Sequence, residues 1–60
     1  MNKDIRLNEL AELLERQSEG LRHLIAYRAQ EESIQRQIGL LADTAELMRV
    51  VMEGRKDTGG

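Results

Sequence analysis

The chain has no cysteine, no proline, no phenylalanine and no tryptophan. Without cysteine, neither a disulfide nor a thiolate metal site can brace the fold. One histidine leaves any metal site to be built mostly from carboxylates. Tyr27 is the single aromatic residue, so a core must come from Leu, Ile, Val, Met and Ala. That palette suits helix-on-helix packing and argues against a sheet, which favours β-branched and aromatic side chains. With no proline, nothing forces a helix to break. No stretch approaches the roughly 20 apolar residues of a membrane span. The opening MNKDIRLNEL lacks the apolar segment of a signal peptide. A cytoplasmic protein without membrane contact is expected.

Sixty residues make one domain, residues 1–60, with a net charge of −2. A chain of this size buries only about 60% of its unfolded surface and is marginal alone. Disulfides and metals are not at hand, which leaves self-association as the remedy. Nine basic and eleven acidic residues give no basic face for non-specific nucleic-acid binding. Seven of the nine basic residues are Arg. Arg is favoured at interfaces, where its fork pairs with carboxylates in two-point contacts.

Residues 33–53, SIQRQIGLLADTAELMRVVME, organise the chain. At about 100° per residue, Ile34, Ile38, Leu41, Ala45, Met48 and Met52 form one stripe. Leu40, Leu47 and Val51 form a second beside it, with Gln37 and Thr44 between. Together they cover roughly half the circumference, more than a single neighbouring helix can bury. The first stripe, Ile34, Ile38, Leu41, Ala45 and Met48, is expected to face the first helix. Leu40, Leu47 and Val51 are assigned to contact between chains, with Leu41 and Met48 completing that oligomer interface.

The first half carries one long apolar face: Leu7, Leu10, Leu14, Leu21 and Leu24. With Ile34 and Ile38 these residues make up the expected helix–helix core. Ile25 shares this face and Leu13 widens it, while Glu9, Glu12, Arg16, Arg22 and His23 point away. Gln17 interrupts the stripe, either at a solvent-facing layer or as a buried polar pair that fixes register. Gly20 costs about 1 kcal/mol against Ala inside a helix. The face keeps its phase from Leu14 to Leu21, so the helix is read as continuous through Gly20.

The phase breaks after Arg28, and residues 29–33 hold no large apolar side chain. A helix over about residues 4–30, a turn near 30–33 with Ser33 as N-cap, and a helix over about 33–53 would make an antiparallel hairpin. One unbroken coiled-coil helix is the alternative. Asn2 is the expected cap of the first helix, with an extended lead-in and Asn8 as the alternative. Gly54 is placed as a left-handed C-terminal cap, followed by Arg55, Lys56 and a disordered tail over 55–60.

No arrangement of chemistry-bearing residues stands out. Ser18, Ser33 and Thr44 have no base at hand, and His23 falls opposite the leucine stripe. The five glycines form no phosphate loop. No catalytic, cofactor-binding or metal residue is therefore expected, and no cofactor. The expected fold is all-α, a hairpin self-associating into a bundle as a homodimer or higher oligomer. The expected function is non-enzymatic contact with another protein, as a regulator, inhibitor or adaptor. Such short, cysteine-free helical chains are frequent among phage and plasmid accessory proteins. In length and layout the chain resembles the ROP type of plasmid copy-control protein, a hairpin that dimerises into four helices. The lead-in KDIRLNEL resembles the N-terminal strand of ribbon–helix–helix repressors, with Lys3 and Arg6 outward and Asp4 opposing them. These resemblances imply nucleic acid as the second-choice partner.

Overall fold

A computed structural model describes residues 3–54 of the chain. Two helices, α1 (Lys3–Ala26) and α2 (Glu31–Glu53), pack side by side as a hairpin. Among the described residues there is no strand. Asn2, Arg55, Lys56 and the tail over 55–60 lie outside the described residues, as do the features assigned to them. The fold is all-α, with α1 starting at Lys3 rather than Asn8 and running unbroken through Gly20.

The turn comes earlier than the apolar pattern suggests. α1 ends at Ala26, and Arg28 adopts the left-handed conformation with φ 55°. The Arg28 N–H donates to the Ile25 carbonyl at 3.1 Å, and the Ala29 N–H reaches back to Leu24 at 2.9 Å. This pair of bonds is a Schellman motif, with Arg28 at the position glycine usually fills. Gln30, extended at φ −67° and ψ 150°, is the N-cap of α2 and makes no side-chain capping bond. Ser33, the expected cap, lies inside the first turn, and its N–H donates to the Gln30 carbonyl at 3.0 Å. Glu31 and Glu32 place negative charge in that first turn, against the positive end of the helix dipole. At the far end Gly54 is left-handed at φ 67°. Lys3 Nζ donates to the Met52 carbonyl at 3.4 Å, so the start of α1 covers the negative end of α2.

The seam is set by a heptad running through both helices. In α1 the half-buried Leu7, Leu14 and Leu21 alternate with Leu10, Gln17 and Leu24. In α2, Ile34, Leu41 and Met48 alternate with Gln37, Thr44 and Val51. This interleaved spacing of three and four keeps one face of each helix turned to the other. Hydrogen bonds from Gln37 and Thr44 to Gln17 fix the register, which puts Leu41 opposite Gln17. The same register brings Leu10 level with Met48, and Leu7 level with Val51.

Several assignments change accordingly. Ile38, assigned to the core, is 49% exposed, and Ala45 is exposed as well. Gln37 and Thr44 occupy the seam in their place. Val51, assigned to contact between chains, is half-buried along the intrachain seam, beside Leu41 and Met48, which face α1 as the first stripe places them. α2 is rotated about 50° from the orientation its apolar stripe alone would favour. Gln17 accounts for this: at its half-buried position the amide oxygen gains the Thr44 hydroxyl as a partner, which Ile38 and Ala45 could not supply.

Candidate interaction surfaces

The interior of the hairpin is polar at its most buried point. No apolar residue is fully buried among the described residues; Thr44, 3% exposed, is the one that is. Its hydroxyl donates to Gln17 Oε1 at 2.7 Å. Gln37 Nε2 donates to the Gln17 backbone carbonyl at 2.8 Å. Gly20 makes room for this arrangement, since a Cβ there would lie 3.0 Å from Gln37 Nε2. All buried side-chain nitrogen and oxygen atoms described have a hydrogen-bond partner. The layer is fully satisfied, which is what a polar layer needs in order to specify a register.

The large apolar side chains lie outside. Leu40 and Leu47 are 45% and 48% exposed, and Met52 is 59% exposed. The hairpin measures 43 × 23 × 11 Å, so it is a plate one helix thick with two broad faces. Helical register assigns Leu13, Gly20, Leu40 and Leu47 to one face. The other face takes Ala11, Ile25, Ile38, Ala45 and Met52. At the open end of that second face Leu7, Ala11, Met48 and Met52 line a shallow groove of about 400 Å³, with Arg49 and Glu53 at its mouth.

The expected core residues Leu7, Leu10, Leu14, Leu21, Leu24 and Ile34 come together along the seam, each only half-buried. Leu40 and Leu47 stay together on one flank, separated from Leu41, Met48 and Val51. Sequence reasoning left Thr44 and Gln37 between two stripes and so missed them as seam residues. Their spacing of seven from each other, matching that from Leu41 to Met48, is the signal that identifies them.

Polar groups outside the seam are dispersed. His23 is exposed and stacks on Tyr27 with centroids 6.2 Å apart and planes 12° apart. Arg49 and Glu46 form a solvent-exposed pair at 3.6 Å. Such a pair contributes a few tenths of a kcal/mol at most. Among the described residues no three His or carboxylate side chains gather as a metal site. No described helix is long and apolar enough to cross a membrane. Comparisons with protein-family models, with curated proteins and with solved structures find no match.

Proposed function

We propose that the chain is a non-enzymatic interaction module that self-associates into a helical bundle and regulates, inhibits or adapts another protein. One observation carries this reading: among the described residues seven large apolar side chains are 45–80% exposed while no apolar side chain is buried. A lone hairpin therefore leaves most of its hydrophobic stabilisation unrealised. Completing the burial of a half-exposed Leu is worth on the order of 1 kcal/mol. Leu40, Leu47, Ile38 and Met52 together offer several times that. A second layer of helices is the simplest way to gather it, because the plate presents flat apolar faces to both sides.

Light scattering at micromolar concentration tests the association directly. A mass of twice 6.9 kDa or more is expected. Leu47→Glu should dissociate the assembly and lower helicity, since a separated hairpin has little stability of its own. Glu46→Lys, on the exposed side of the same turn, should shift stability by no more than about 0.5 kcal/mol. A fully helical monomer would overturn self-association. A pull-down with the intact chain should recover a single protein at fixed stoichiometry. A salt-sensitive gel shift of DNA or RNA in its place would overturn the protein-partner part.

A further inference from the structure

Resting on the self-association reading above, we propose a specific occupant for one face of the plate. A second copy of this chain seats on the face of Leu13, Leu40 and Leu47. Each α1 lies against the partner's α2, with Arg16 level with the partner's Asp43.

The argument starts from the register. Gln17 bonds to both Gln37 and Thr44, so Gln17 stands level with Leu41. Arg16 and Asp43 then stand at nearly the same height on opposite outer edges of this face. Both are exposed, and among the described residues neither has an ion-pair partner within the hairpin. A two-fold axis running along the hairpin keeps every height and exchanges the edges. It carries the partner's Asp43 to Arg16, and does so twice by symmetry. A closed two-fold contact requires a self-complementary surface of this kind.

The apolar residues agree. Within about 3 Å of height, two residues of helix rise, Leu13 meets the partner's Leu47. The partner's Leu40 arrives at Gly20, where α1 carries no side chain to obstruct it. The second face lacks this match, because the same operation sets Glu15 against Ala42 and Arg49 against Asn8. A two-fold across the hairpin also does worse. It would pair Arg16 with Glu9 about one centre and Arg36 with Asp43 about a different one, so both cannot form together.

The absence of cysteine makes the arrangement directly testable. Arg16→Cys and Asp43→Cys are prepared as separate chains and mixed with a short thiol-to-thiol crosslinker. The mixture should give covalent dimer at several times the rate of either variant alone. Arg16→Asp should weaken the dimer about tenfold, from two reversed pairs. Combining Arg16→Asp with Asp43→Arg should restore the wild-type dissociation constant. If Arg16→Cys alone crosslinks as fast as the mixture, or the charge swap fails to restore association, this arrangement is wrong although the dimer stands. If the wild-type chain sediments as a monomer, the arrangement and the self-association reading fall together.

Discussion

The Gln17–Thr44 contact should behave as a coupled pair whose two halves are unequal. Thr44 is 3% exposed and donates to Gln17 Oε1 at 2.7 Å. Gln17→Leu removes the acceptor and leaves that hydroxyl buried. Stranding a buried donor costs about 1–3 kcal/mol. The lower end applies if the hydroxyl turns back to a carbonyl of its own helix. Leucine at this half-buried position returns about 1 kcal/mol of apolar burial. The net loss for Gln17→Leu is therefore about 0–2 kcal/mol. Thr44→Val removes only the donor. The Gln17 amide, half-exposed, can turn to water, so the loss is that of one hydrogen bond, about 0.5–1.5 kcal/mol. Gln37 is untouched in either variant because it bonds to the Gln17 backbone.

The double variant Gln17→Leu with Thr44→Val has neither stranded group. It should be at least as stable as the wild-type chain, giving a coupling energy of about 1–2 kcal/mol. Urea unfolding at one fixed protein concentration measures all four species. Concentration must be held because folding and association are linked here. The double variant should also sediment as a mixture of sizes, since the layer that selects one register is gone. Additive single losses, with coupling below about 0.3 kcal/mol, would refute the view that this bond sets the rotation of α2.

Two glycines inside helices should respond differently to alanine. Gly39 has nothing within 4 Å of a new Cβ, so Gly39→Ala should stabilise the chain by about 1 kcal/mol in thermal melts. Gly20→Ala should give distinctly less, because its Cβ meets Gln37 Nε2 at 3.0 Å and the Gln37 bond must shift. Arg28→Gly should raise stability by about 0.5–1 kcal/mol, because a side chain at φ 55° is strained. No change in the urea midpoint on that substitution would mean the turn carries no strain to relieve.

Much of the fold is legible in the sequence, for identifiable reasons. The absence of proline, cysteine and aromatic bulk leaves helices, and Leu7, Leu14 and Leu21 set the face of α1. Gly54 marks the end of α2 because only glycine enters the left-handed region freely. The turn is harder to place because its left-handed position is filled by Arg28, a residue with no local signature for it. Ser33 draws the start of α2 too far along the chain, since it has capping chemistry and Gln30 does not. The true start relies on Glu31 and Glu32 meeting the helix dipole, a weaker signal than a side-chain cap.

The rotation of α2 could not be read from α2 alone, and that follows from how a polar layer acts. A hydrophobic arc covering half a helix admits a range of orientations with similar apolar burial. The tie is broken by the most expensive group on the opposing helix, not by the widest apolar stripe. Gln17 is that group: an amide in the middle of a leucine face, whose side-chain oxygen accepts from Thr44 and whose backbone carbonyl accepts from Gln37 when both turn toward it. Meeting that demand moves the seam off Ile38 and Ala45 and leaves apolar side chains on both flanks. The buried polar contact and the exposed Ile38 and Ala45 are thus two consequences of one residue. A chain with Leu at position 17 would be free to turn α2 onto its apolar stripe and bury Ile38. It would then show a different outer surface to any partner. In this chain the register inside the hairpin decides what the hairpin presents outside.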